Sequence, residues 1–258
     1  MKNLIFIKIG GSLITKKKPY TLNRKKLREV VEEIGRCKKK FKIKLLLGNG
    51  AGSFAHVSAQ KFKTKMGYLN EKSKIGHCIV EDDASTLNRI LVKELIKAKI
   101  NAISFQPSAA IATKNGKISA FNLQPILNYL KHDLVPVVFG DVVSDQKKGC
   151  VILSTEEIFK FLAKKLKPDK IILMSNVEGV FDFEGKIIPE ICPKNFKKIK
   201  KYLGASEKID VTGGMKQKVK EAIEMAKLGI DVFIIGGKKG NLEKCLKGKK
   251  VGTKIIYG

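Results

Sequence analysis

Leu4–Ile9 is a short apolar run, interrupted only by Lys8, that stops at Gly10-Gly11. The pattern recurs at 44–47, which stops at Gly48-Asn49-Gly50, and at Val135–Phe139, which stops at Gly140-Asp141. Such runs are too short for a helix buried all round and too apolar for a strand with one wet face. They predict strands of a parallel sheet covered on both sides. Segments of helical period lie between them: 23–37 carries Leu27, Val30, Val31 and Ile34 on one stripe, and 83–98 carries Leu87, Ile90, Leu91 and Leu95. A strand at 102–105, a hairpin about Lys114-Asn115-Gly116 and a helix at Gln124–Lys131 follow. The second half continues with a strand at 151–153, a helix at 154–166, a strand at 170–174 and a hairpin with arms at 179–181 and 186–188. Helices at 195–203 and 214–228 and strands at 231–235 and 253–257 complete the pattern. This alternation predicts an α/β sandwich around a mainly parallel sheet. No Pro- or Gly-rich linker interrupts the chain, so one domain is expected over residues 1–258.

Charge is the strongest competing signal. Against 24 acidic residues stand 52 basic ones, a formal net charge of +28. Such an excess suits nucleic acid or an anionic surface. Two features point away from nucleic acid. Only Arg24, Arg28, Arg36 and Arg89 carry the guanidinium fork that grips phosphate and guanine at two points, and aromatics for base stacking are 7% of the chain, with no Trp. A lysine-rich solvated surface, with small anions as substrates, is the expected reading. The cysteines at 37, 78, 150, 192 and 245 form no CxxC or Cys/His cluster. Neither a disulfide framework nor a metal site is therefore expected, and a reducing cytoplasm is the expected home. The apolar runs fall far short of a membrane span, and the N-terminal run lacks a signal-peptide cleavage pattern, so no membrane partner is expected.

In an open parallel sheet, ligands gather where strand ends pass through loops into helices. Four such loops are rich in groups that hold anions. Lys8-Ile9-Gly10-Gly11-Ser12 combines a tight turn with a point charge, and Gly48 through His56 opens a helix with glycines whose N–H groups suit phosphate. Asp210-Val211-Thr212-Gly213-Gly214 leads into Lys216 and Lys218, cations at the positive end of a helix, where an anion between them relieves the conflict. Gly140-Asp141 places a carboxylate at a strand end. Neither GxGxxG with a following acid nor GxxxxGK[ST] occurs, which excludes the dinucleotide and P-loop signatures. The four loops together point to phosphoryl transfer.

Taken in order, Lys8-Ile9-Gly10-Gly11-Ser12, Gly50 to His56, Gln106-Pro107-Ser108, Gly140-Asp141-Val142-Val143 and Asp210 through Lys218 resemble the amino acid kinase superfamily, in its isopentenyl phosphate kinase branch. The resemblance runs from residue 4 to about 256. It implies a three-layer α/β/α fold, with the acceptor on an N-terminal lobe of about 1–150 and ATP on a C-terminal lobe of about 151–258. It further implies ATP with Mg²⁺, a homodimer, and transfer to a phosphate monoester, isopentenyl phosphate, giving isopentenyl diphosphate. By position, Lys8, Lys17 and His56 are the implied catalytic residues. ATP is assigned to Lys8, Gly10, Gly11, Ser12, Gly52, Asn176, Gly213 and Lys218. The acceptor is assigned to Gly50, Ala51, Ala55, His56, Asp141 and Thr155, and no residue to a metal.

The chain departs from the branch in its turns. Asn49, Ala51 and Ala55 replace a His and two glycines, and a methyl group at 51 or 55 is unwelcome if the backbone there has positive φ. Ser154-Thr155-Glu156 replaces Ser-Gly-Asp, and Asn176 replaces a carboxylate. Two alternatives stay open: a kinase of the same fold acting on a phosphonate, carbamate or acyl carboxylate, and a non-catalytic basic binding protein.

Overall fold

The computed structural model describes residues 3–201, 203 and 214–257. The N-terminal half runs β1 (Leu4–Ile9), α1 (Gly11–Ile14), α2 (Arg24–Phe41), β2 (Lys44–Asn49), α3 (Gly52–Lys61) and α4 (Glu71–Lys97). It continues through β3 (Ala102–Ser104), α5 (Pro107–Ala110), β4 (Ile111–Lys114), β5 (Lys117–Phe121), α6 (Gln124–Lys131) and β6 (Val135–Phe139). Then come β7 (Asp141–Asp145), β8 (Gly149–Leu153), α7 (Thr155–Leu166), β9 (Lys170–Ser175), β10 (Glu190–Ile191) and α8 (Pro193–Ile199). The last elements are α9 (Gly214–Ala226), β11 (Asp231–Gly236), α10 (Asn241–Leu246) and β12 (Thr253–Ile255).

Eight strands form the main sheet in the order β10-β12-β11-β9-β1-β2-β6-β3, and β5-β4-β7-β8 form a smaller one. In the main sheet every neighbouring pair is parallel except β11 with β12. The alternation of side chains along a strand explains why both faces are covered. In β1, Leu4 and Phe6 enter one core, packed with Ile158, Phe159 and Leu162 of α7 and Val219 of α9. Ile5, Ile7 and Ile9 enter the other, packed with Leu27, Val30, Val31 and Ile34 of α2. Helices on both sides of one sheet give the expected three-layer α/β/α sandwich. β1 pairs with β2 on one side and with β9 on the other, so the halves of the chain share one continuous sheet.

Helix boundaries follow local chemistry. Asn23 caps α2 by accepting from the Lys26 N–H, and Lys42 ends it in the left-handed conformation. Ser154 and Glu157 form a capping box at the start of α7. Helix α4 starts well before the expected residue 83, on a capping box made by Asn70 and Ser73. Its early turns carry small residues instead of a broad apolar stripe: a Cβ on Gly76 would sit 2.4 Å from Phe62. The strand β7 was not expected; the chain turns at Gly140 and pairs again from Asp141. β8 runs across the expected lobe boundary at 150/151 and pairs with β7. The hairpin expected at 179–188 is present as one bridge, Phe181 to Ile187, flanked by the Asp182 N–H to Lys186 O and Ile188 N–H to Val180 O bonds, and Asp182 Oδ1 accepts from the Glu184 and Lys186 N–H groups in the turn.

Candidate active site

The carboxyl ends of β1 and β2 and the start of α7 border a cavity of about 160 Å³. Its apolar lining comes from Ala51, Ala55 and Ala59 at the start and along one face of α3, and from Val80 and Ala84 on α4. Val142 and Ile152, paired across β7 and β8, close the far wall. These residues pack as one contiguous cluster. The polar lining is Lys8, His56, Asp141, Ser154, Thr155 and Glu156. Charge and hydrocarbon therefore meet in one compartment.

Lys8 is 8% exposed and donates to Glu156, itself 6% exposed, in an ion pair that joins β1 to α7. Burial alone would push the Glu156 carboxyl up. The Lys8 ammonium, with Lys218 beyond it, outweighs burial and holds the carboxyl below its ordinary range. Sequence reasoning noted Glu156 only within the turn that replaces Ser-Gly-Asp; its partner lies 148 residues away. Burial lowers the His56 pKa and Lys8 lowers it further, so the imidazole is neutral at neutral pH and offers a single N–H.

The glycine turns behave differently from one another. Gly11 and Gly52 open α1 and α3, where the first N–H groups have no partner within the helix. Their backbones approach so closely that a Cβ on Gly11 would sit 2.2 Å from the Gly52 nitrogen, and Gly52 has φ +55°. The Gly10 and Gly50 N–H groups already donate to Met174 O (2.9 Å) and Ile9 O (3.1 Å), so neither N–H is free for a phosphate, while Gly50 itself lines the cavity. The worry over Ala51 and Ala55 also falls away. Ala51 has φ −67° and Ala55 lies inside α3, so a methyl group is tolerated at both.

Thr155 donates to Asn49 O (2.7 Å), and Asn49 Oδ1 accepts from Asn88, whose own Oδ1 accepts from Ser104. Asn49 thus satisfies a buried network rather than lining the cavity. Lys218 Nζ donates to Ser175 Oγ (3.0 Å) at the end of β9, next to the exposed Asn176. Ser12 is exposed beside Gly11, and Lys17 is exposed on the loop after α1; neither lines the cavity. Gly213 lies outside the described residues.

Asp141 is 1% exposed and accepts from the Ser108 N–H (2.9 Å) and the Val142 N–H (2.8 Å). Burial outweighs these donors and pushes its carboxyl up to about 6. A folded pKa above the unfolded value contributes stability at low pH that is lost as pH rises through about 6. Asp141→Asn keeps one acceptor oxygen and removes the buried charge. It is expected to gain about 1–2 kcal/mol at pH 8 and to lose that gain near pH 4.5, read from paired thermal melts.

The sequence profile of the amino acid kinase family matches residues 3–236. The chain belongs to the amino acid kinase family. This amino acid kinase is similar to the isopentenyl phosphate kinase of Methanocaldococcus jannaschii, at 36% identity over 98% of this chain and 99% of that one. It is similar to the enzyme of the same name from Methanothermobacter thermautotrophicus, at 31% identity over 98% of each chain. Among solved structures, an isopentenyl phosphate kinase aligns with a TM-score of 0.83 at 28% identity, covering 98% of this chain and 100% of the other.

Proposed function

We propose that this amino acid kinase transfers the γ-phosphoryl group of ATP to isopentenyl phosphate, giving isopentenyl diphosphate and ADP. The observation that carries the reading is the cavity that sets Lys8 and His56 beside an alanine- and valine-lined wall. A phosphate head and a short hydrocarbon tail match that division. At about 160 Å³ the cavity is close to the ~150 Å³ known to hold a six-carbon ring, the scale of a five-carbon tail. A carboxylate acceptor with a polar backbone would leave its amide groups unpaired against Ala55, Val80 and Val142.

In the reaction an acceptor phosphate oxygen forms a bond to the γ-phosphorus as the bridging bond to the β-phosphate breaks, and ADP leaves. The acceptor oxygen is already anionic, so positioning and charge compensation replace a strong base. Lys8 and Lys17 balance the charge spread over the transferring group, and the Gly11 and Gly52 N–H groups and Lys218 hold the nucleotide. His56 donates to the acceptor phosphate. Among the described residues no group of three His, Cys, Asp or Glu could hold a metal ion. Mg²⁺ in this reading enters as part of the nucleotide substrate, held by phosphate oxygens and water. The N-terminal lobe takes the acceptor and the C-terminal lobe the nucleotide. Five free cysteines suit a reducing cytoplasm, and a homodimer completes the reading. No described helix is long and apolar enough to cross a membrane.

The test is ATP-dependent phosphorylation, read as ADP release with the product identified, across a panel of isopentenyl phosphate, short alkyl phosphates, phosphonates, carbamate and N-acetylated amino acids. Isopentenyl phosphate is expected to have the highest kcat/KM; a higher value for a carboxylate or carbamate overturns the assignment. His56→Ala removes one hydrogen bond to a charged group, about 1.5–3 kcal/mol, so kcat/KM for isopentenyl phosphate should fall about 10- to 150-fold. KM for ATP should move little.

A further inference from the structure

The loop after α1 closes on itself. Thr15 and Leu22 form an antiparallel bridge, and the Lys16 N–H donates to Thr21 O (2.8 Å). Tyr20 within it has φ +52°, the left-handed region that a bulky residue enters only when its surroundings hold it there. Three contacts do so. Its N–H donates to Ser53 O (3.2 Å), its ring meets Phe54 edge-on at 5.7 Å and 76°, and its hydroxyl donates to Asp83 Oδ2 (3.0 Å).

The anchors belong to the walls of the active site. Ser53 and Phe54 lie in the first turn of α3, just before Ala55 and His56. Asp83 is on α4, between the cavity-lining Val80 and Ala84. Lys17 is on the same closed loop, exposed, and makes no ion pair among the described residues. Lys16 and Lys18 flank it, so three like charges favour opening of the loop.

We propose that Tyr20 is a positioning residue: its hydroxyl, latched to Asp83, holds the Lys17 loop against α3 and α4 and so fixes where the Lys17 ammonium stands. The inference rests on the reading of Lys17 as a catalytic lysine. The latch acts through Lys17 and does not touch a substrate. Displacements of about 1 Å at a reacting centre can cost about 100-fold, so loss of one latch contact should register in turnover. The bond is at the surface, so loss of it should leave the fold largely unaffected.

Tyr20→Phe removes only the hydroxyl. It is expected to lower kcat about tenfold, with KM for ATP and for isopentenyl phosphate nearly unchanged and the melting temperature close to wild type. Asp83→Ala should reproduce the defect, and Asp83→Asn, which keeps an acceptor oxygen, should restore most of the rate. In a Lys17→Ala background, Tyr20→Phe should cause no further fall. Wild-type kcat in Tyr20→Phe, or an equal fall with and without Lys17, overturns the latch. If Lys17→Ala itself turns over at the wild-type rate, the reading of Lys17 fails and the latch fails with it. If Lys17→Ala is slow and Tyr20→Phe is not, only the latch fails.

Discussion

Lys8→Met is expected to abolish turnover and to destabilise the fold by about 3–5 kcal/mol, because it leaves the buried Glu156 carboxylate without its hydrogen-bonded cation, with only the more distant Lys218 remaining. Lys8 and Glu156 are both nearly inaccessible, and they join β1 to the first turn of α7. In the wild type the folded Glu156 pKa lies below its unfolded value. The pair's contribution is therefore present above the ordinary carboxylate pKa and fades as pH falls through the folded value. In the variant the sign reverses. An unpaired buried carboxyl has a raised pKa and takes up a proton on folding, so the loss should be greater at pH 8 than at pH 5. The double variant Lys8→Met/Glu156→Gln removes both charges and should recover most of the lost stability without recovering turnover. Urea unfolding of the three proteins at two pH values, beside ATP-dependent product formation, tests each part. Equal stability of wild type and Lys8→Met at pH 8 would refute the buried-pair account.

Lys17→Ala is expected to lower kcat by about 10²- to 10³-fold, the usual cost of deleting one donor aimed at charge that develops in the transition state. Lys17 is exposed on a loop, so its removal should leave the melting temperature near wild type. If it acts mainly in the transition state, KM for both substrates should change much less than kcat. A large rise in KM for ATP with kcat intact would make Lys17 a nucleotide-binding residue instead. A wild-type rate would remove it from the chemistry.

The alternation of strand and helix was legible because it is written locally. A run such as Leu4–Ile9 has little alternative to a strand buried on both faces, and the stripe of Leu27, Val30, Val31 and Ile34 must face a core. The boundaries of α4 were less legible, since its first turns bury only Ser73 and Gly76, the latter against Phe62, and show no wide apolar stripe. Capping by Asn70 and Ser73, rather than periodicity, sets its start.

The chemistry was legible only in part. Lys8, His56, Asp141 and Thr155 stand at strand ends or helix starts, where sequence order places them near one another, and all four line the same cavity. Whether a glycine amide is free depends on what lies opposite: the Gly10 N–H meets Met174 O and the Gly50 N–H meets Ile9 O. The methyl groups of Ala51 and Ala55 looked costly from the motif and are harmless because Gly52 alone carries the turn at positive φ.

By itself, the sequence determined the α/β alternation, the glycine turns at the strand ends and the residue types that suit phosphate. Periodicity and turn chemistry act within a few residues, so a linear string records them. The tertiary structure alone decided that Glu156 meets Lys8, that Asn49 meets Asn88 and that Tyr20 meets Asp83. Those pairings join residues 148, 39 and 63 positions apart. They exist because strand order and helix packing bring distant backbone together, and no local period in the chain encodes which distant residue will arrive.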